Sequence, residues 1–305
     1  MPKKKIAILS GVILAVIVAF IISSLLIFPK AEAEEKSETM QTLSIWQIDG
    51  FEGGKGSRAQ YLQNTANACF KGEKVYATVN TLSADAAREN LARGVKPDII
   101  SYNAAFYGIE NYINKKDFAF KTWCRGGYCL LSLDENCDFS DVNEQNTAIN
   151  AGKDNLVEAA ATLCGVGNAS YFEPTNAYLQ LISGKFKYLF GTQRDIYRLK
   201  TRNQSFAVKP MTQFNDLYQN VSILCNNAEK YVNCVKFVNY LTENAKVDGL
   251  GLISDACEAE TEELKILQAV AFDYVLNYPC GKDYVEEIKT AAKNRDANKI
   301  KTLLK

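Results

Sequence analysis

The chain has 305 residues, 47% of them hydrophobic, with 35 lysines and arginines balanced by 35 aspartates and glutamates, nine cysteines and no histidine. This supplies one large or two ordinary hydrophobic cores. Zero net charge gives no whole-protein field for a nucleic-acid partner, and the missing imidazole excludes Ser-His-Asp relays, Cys-His relays and histidine-bound zinc.

The chain opens with a basic tail, residues 1–5, containing Lys3, Lys4 and Lys5. From Ile6 to Phe28 it carries no charge. At about 1.5 Å per helical residue that stretch exceeds the roughly 30 Å hydrocarbon layer of a bilayer, so a transmembrane anchor is expected over 6–28. Lysines before it and Glu32, Glu34 and Glu35 after it place the N-terminus in the cytoplasm and the remainder outside. A cleaved signal segment is the alternative, because Ala31-Glu32-Ala33 reads as a processing site, and the chain would then be secreted. Residues 29–41 read as a polar linker.

Leu43 to Ile48 is strand-like, and the breaker-rich Asp49 to Gly56 follows. Ser57-x-x-Gln60 is a capping box opening a helix to about Phe70. Lys74–Val79 is β-rich, Ser83 caps a helix to Arg93 with Gly94 as its stop, and Ile99 to Tyr102 forms the next strand. Strands alternating with helices over short connections predict a parallel α/β sheet. Further on, helices are expected at Asn155–Cys164, Ala177–Ile182, Tyr231–Leu241, Thr261–Leu276 and Asp283–Leu304. Lys185–Phe190 is a strand candidate, followed by the capping box Thr192-x-x-Asp195. Outside a cell, pairs such as Cys124/Cys129 and Cys225/Cys234 can oxidise, and Cys124 to Cys129 reads as a hairpin tip with a cysteine on each arm.

Two segments suit a ligand at strand ends and helix starts, where free N–H groups gather. The first holds Glu52, Gly53, Gly54, Lys55, Ser57 and Arg58; the second holds Gln193, Arg194 and Asp195. Trp46 and Tyr102 are candidate stacking faces. Each segment also reads as a capped turn with solvated charges. No phosphate-binding glycine motif, serine-nucleophile motif or metal-ligand spacing occurs, so no catalytic residue, cofactor or metal is expected. Acid pairs such as Asp49/Glu52, Asp134/Glu135 and Glu262/Glu263 keep a glycan-cleaving enzyme open as a rival. An anchored interaction module is a second rival.

The series Ile45 to Asp49, Phe51 to Arg58, Lys96 to Ser101, Ala177-Tyr178, Gly184-Lys185, Gly191 to Asp195 and Phe237 to Leu241 resembles the extracellular solute-binding proteins (family 1) of ATP-binding-cassette importers, a group that includes many sugar receptors of Gram-positive bacteria. The resemblance implies a two-lobed, periplasmic-binding-protein-like (type 2) α/β fold with a ligand cleft between the lobes, preceded by one N-terminal transmembrane helix. Lobe 1 would comprise 42–112 plus 208–253, and lobe 2 would comprise 113–207 plus 254–305. The implied partners are a small-molecule ligand, a sugar first among them, and the membrane permease subunits of an importer. The chain would be a monomer on the outer face of the cell membrane. Receptors of this kind usually carry a lipid on an N-terminal cysteine, whereas the first cysteine here is Cys69; a retained Ile6–Phe28 helix would serve the same purpose.

Overall fold

The computed structural model describes residues 40–48, 57–113, 120–152, 155–276 and 280–305. The expected basic tail, anchor or signal segment and most of the linker lie outside the described residues, as do residues 49–56. Among the described residues no helix is long and apolar enough to cross a membrane.

The strand β1 (Gln41–Ile48) is followed by helix α1 (Arg58–Cys69), strand β2 (Val75–Leu82), helix α2 (Ala84–Ala92) and strand β3 (Ile99–Asn103). Serine starts both helices: extended backbone at Ser57 and Ser83 lets each hydroxyl accept from an amide three residues on. Gly94, at φ +80°, supplies the left-handed turn that ends the second. β1 and β3 pair in parallel, with Ile45 opposite Ile99. Strands β4 (Lys121–Arg125) and β10 (Tyr218–Ile223) complete a five-stranded sheet in the order β2-β1-β3-β10-β4, β10 running antiparallel to both neighbours.

A second five-stranded sheet, β7-β6-β8-β5-β9, is built from β5 (Tyr128–Ser132), β6 (Thr147–Asn150), β7 (Ser170–Phe172), β8 (Tyr188–Thr192) and β9 (Ala207–Pro210). β6 is parallel to β7 and β8, while β5 is antiparallel to β8 and β9. Both sheets are therefore mixed, not purely parallel as the alternation of elements suggested. Each takes in strands that return from the other half of the molecule, and chain order does not record that. The helices among these strands are α3 (Val157–Leu163), α4 (Pro174–Ile182) and α5 (Gln193–Thr201).

After β10 come α6 (Ala228–Asn244), α7 (Glu262–Gln268), α8 (Lys282–Lys293) and α9 (Ala297–Leu304). The helix expected over Thr261–Leu276 stops at Gln268. Beyond it the backbone bonds sideways: Asp273 N–H donates to Thr212 O at 2.8 Å and Asn215 N–H to Tyr274 O at 3.0 Å. The helix expected over Asp283–Leu304 is broken near Arg295, which holds a left-handed φ of 57°. One core packs α1 and α6 on the first sheet through Leu62, Phe237 and Leu241. Another packs α3, α8 and α9 on the second sheet, and a third packs α4, α5 and α7 there.

Cys124 and Cys129 do not face each other across a hairpin. Cys124 lies in β4 of the first sheet and Cys129 in β5 of the second, so Gly126-Gly127 is a passage between sheets. None of the nine cysteines is joined in a disulfide in the structure. Residues 121–125 belong to the first sheet and 207–210 to the second.

Three passages between the halves lie side by side. Gly126 N–H donates to Leu217 O at 2.6 Å, and the Asn215 amide donates to Gly126 O at 3.1 Å. Arg125 and Ile253 exchange backbone bonds of 2.8 and 2.9 Å. The Arg125 guanidinium, 7% exposed, then donates to Gln268 O at 2.7 Å and Leu267 O at 3.4 Å. This places a cation on the carbonyl end of α7. Arg125→Leu strands those carbonyls and is expected to lower unfolding stability by about 2–4 kcal/mol, read from urea denaturation. A change within error would show that the passages hold without it.

Candidate functional site

A cavity of about 410 Å³ lies between the two sheets. The first sheet and its helix contribute Ile48, Arg58, Asn103 and Gln219; the second half contributes Asn150, Thr175, Thr192, Gln193, Arg194 and Arg198; the passages contribute Gly126, Asp216 and Leu217. Asn150 and Thr192 end the parallel strands β6 and β8, and Thr175 and Gln193 begin helices. Carboxyl ends of parallel strands are where open α/β sheets place ligands, because the turns there lead into helix starts.

The second predicted segment, Gln193 to Asp195, lines this cavity. Thr192 and Asp195 form the expected capping box. Asp195 is fully buried, and its carboxylate accepts from Thr192 N–H at 3.0 Å and from the Asn150 amide at 2.7 Å. It also pairs with Arg198 at 3.3 Å. Burial raises its pKa against those hydrogen bonds, which favour the charged form. Gln193 is buried, and its side-chain oxygen accepts from Gly127 N–H at 3.0 Å, so it braces the first passage. Arg194 is exposed at the cavity.

From the first predicted segment, Arg58 lines the cavity and donates to the Gln219 side chain, while Ser57 is the buried cap of α1. Glu52, Gly53, Gly54 and Lys55 lie outside the described residues. Trp46 and Tyr102 are buried in the core beneath α2, with the Tyr102 hydroxyl 2.6 Å from that of Ser222. Neither ring lines the cavity; among the described residues the aromatic side chain that does is Tyr218. Of the acid pairs, Asp134 and Glu135 are exposed away from the cavity, Glu263 is bound to Lys200 at 2.6 Å, and Asp49/Glu52 lies outside the described residues.

Sequence reading missed Asn150, Thr175 and Asp216. Asn150 is 7% exposed, and its side-chain oxygen has no hydrogen-bond partner among the described residues. Asp216 is buried in the second passage, where its carboxylate accepts from the Tyr128 hydroxyl at 2.7 Å and from Leu156 N–H at 2.6 Å. Desolvation outweighs both bonds and pushes its pKa up to about 6. A strand ending in a polar residue before glycine, as Asn150-Ala151-Gly152 does, is a signal that could have found the first of these.

No family model and no curated protein matches the sequence. Solved structures do match in fold. An ATP-binding-cassette transporter substrate-binding protein from Bradyrhizobium japonicum aligns with a TM-score of 0.57 at 14% identity, over 85% of this chain and 99% of its own. The spermidine/putrescine transporter substrate-binding protein PotD from Streptococcus pneumoniae aligns at 0.55 and 11% identity, over 87% and 100%. A protein described for xylan utilization by the thermophilic bacterium Caldanaerobius polysaccharolyticus aligns at 0.54 and 12% identity, over 86% and 99%. At these identities the likeness shows a shared fold: the periplasmic-binding-protein-like arrangement of two α/β lobes about a cleft.

Asp216 gives a pH prediction. Its native carboxyl holds a proton up to about pH 6, whereas the unfolded carboxyl releases it near pH 4, so the native state binds more protons between those values. Stability therefore falls as pH rises through that window, by up to about 3 kcal/mol for this group. Asp216→Asn keeps both contacts, accepting from Leu156 and donating to Tyr128, and loses the titration. Denaturation of both proteins at pH 4 and pH 7 is expected to show the wild type losing more stability than the variant; equal losses would refute the assignment.

Proposed function

We propose that the chain is the extracellular solute-binding receptor of an ATP-binding-cassette importer. The observation that supports this most directly is a polar cavity lined from both sheets and floored by the three passages that join them. A solute held by Arg58 and Gln219 on one side and by Arg194 and Asn150 on the other favours whichever relative position of the halves lets all four engage. Ligand then shifts a population toward the closed form, and no bond is made or broken. The closed form is what a membrane permease would recognise. Ile6 to Phe28 would hold the receptor at the outer face of the membrane, or cleavage after Ala33 would release it.

The solute is small and polar. Carbohydrate, the class the resemblance implies, finds planar amides at Asn103, Asn150 and Gln219, with Tyr218 as the aromatic face.

Thermal unfolding of the full chain against mono- and oligosaccharides, polyols, amino acids, carboxylates and short peptides tests this reading. A solute at 100 times its dissociation constant stabilises by about 2.7 kcal/mol if it binds only the folded form. The expected result is such a shift with one class, a smaller radius of gyration in solution scattering, and recovery of the solute unchanged. Conversion of a glycan into product would establish the rival enzyme instead. Indifference to every solute, with tight retention of a protein partner, would establish the interaction module.

A further inference from the structure

The wall of the cavity formed by the second sheet has a particular chemistry. Helix α4 begins Glu173-Pro174-Thr175, and no side chain caps it. Pro174 has no N–H, and the first intrahelical bond runs from Ala177 N–H to Glu173 O at 2.8 Å. The amides of Thr175 and Asn176 are thus left without a helical acceptor, at the positive end of the helix dipole, and Thr175 lines the cavity. The start of α5 differs: Gln193 N–H is taken by Gly127 O at 3.1 Å, and the Thr192 hydroxyl caps the next amides. Of these two helix starts, α4 is the one whose first amides are unclaimed, and the exposed Glu173 carboxylate stands beside them without capping them.

A second observation points to a ligand at the same place. The Asn150 amide donates to Asp195, which fixes the orientation of a residue more than nine-tenths buried and leaves its side-chain oxygen without a donor among the described residues. A buried acceptor left unmet is costly, and a ligand N–H or O–H relieves it. Asn150 and the start of α4 are tied together: Asn150 bonds Asp195 at 2.7 Å, Asp195 pairs with Arg198 at 3.3 Å, and Arg198 donates to Pro174 O at 3.1 Å. Acceptor, guanidinium and open helix start therefore form one short arc of the cavity wall.

Resting on the receptor reading, we propose that the solute is a small carboxylate with a hydrogen-bond donor on the adjoining carbon, a hydroxy acid or an amino acid. The carboxylate sits at the start of α4 beside Arg198, and the hydroxyl or ammonium group donates to the Asn150 oxygen. A neutral sugar meets the hydrogen bonds but leaves the helix end without a counter-charge, whereas Arg198 already has one in Asp195. The dipole is what separates the two classes.

The test is calorimetric titration of the full chain with two matched series, L-lactate, L-alanine and propionate, and L-malate, L-aspartate and succinate, with D-xylose and maltose as neutral probes. Within a series the members differ at one carbon by hydroxyl, ammonium or hydrogen. The expected result is binding of a hydroxy or amino member at least about tenfold tighter than its unsubstituted partner. Which member binds identifies the donor. Thr175→Glu, a change that suits the first turn of a helix, should weaken that binding at least about tenfold, and Asn150→Ala should erase the preference over the unsubstituted acid. Binding of a sugar with no response to any acid, unchanged in Thr175→Glu, would overturn the carboxylate while leaving the receptor reading in place. Silence toward every acid and sugar would overturn the carboxylate and count against the receptor reading as well.

Discussion

The structure depends on one constraint: the chain passes between its two sheets three times, and all three passages must share a narrow space. Glycine at 126 leaves room for Gln193 against the first passage. A Cβ there would lie 2.3 Å from the Gln193 side-chain oxygen, far inside contact distance. With only hydrogen at that position, the Gln193 amide closes over Gly126 and accepts from Gly127 N–H, while Asn215 and Leu217 of the second passage bond Gly126 from their own side. Gln193 is also the first residue of α5, so one side chain sets both the passage and the helix start that faces the cavity. Arg125 joins the third passage through its backbone and holds the end of α7 through its side chain. The floor of the cavity and the connection of the halves are thus the same hydrogen-bonded structure.

Buried carboxylates organise the walls above that floor. Asp195 and Asp216 both lose hydration, which is unfavourable for the charged form. Each recovers part of that cost by accepting hydrogen bonds from elements distant in sequence. Asp195 joins the end of β6 to the start of α5, and Asp216 joins a passage to Tyr128 of β5 and to the entry of α3. Removing one partner from such a cluster leaves a charge or donor buried and unmet, so the groups persist together. Their work is positional: Asp195 fixes Asn150, Arg198 and Thr192 at the cavity wall, and Asp216 fixes Tyr128 and Leu156 beside the second passage.

Much of this was legible in the sequence where the cause is local. Ser57, Ser83 and Thr192 start helices through bonds that span three residues, and Gly94 ends one by a conformation open to glycine. Where the cause is distant, local pattern misled. Cys124 to Cys129 has the composition of a hairpin turn, but β4 pairs with β10 and β5 pairs with β8 and β9, so the glycines join two sheets. Val270 to Leu276 has helical composition, yet its backbone is claimed by Thr212 and Asn215. Arg194 and Asp195 reached the cavity because a capping box marks a strand-to-helix turn. Asn150 and Asp216 carry no such mark; a lone polar residue acquires its role only from what the fold sets around it.

Trp46 and Tyr102 show how this bears on ligand class. Aromatic residues near strand ends suggested stacking faces for a sugar, but both strands are central in their sheet, with helices packing over them, and their rings fill the core under α2. A central strand buried on both faces turns its aromatics inward whatever the ligand. The polar groups at the cavity are amides, guanidinium groups, the carboxylates of Glu173, Asp195 and Asp216, and an uncapped helix start, all of which act by hydrogen bonding and charge. On the proposed receptor reading, selection would reside in these few strand-end and helix-start groups. Along the wall from Asn150 to Thr175 an unmet acceptor and an uncapped helix start are joined by one chain of hydrogen bonds, and under the carboxylate proposal that is where a neutral and an anionic solute would be told apart.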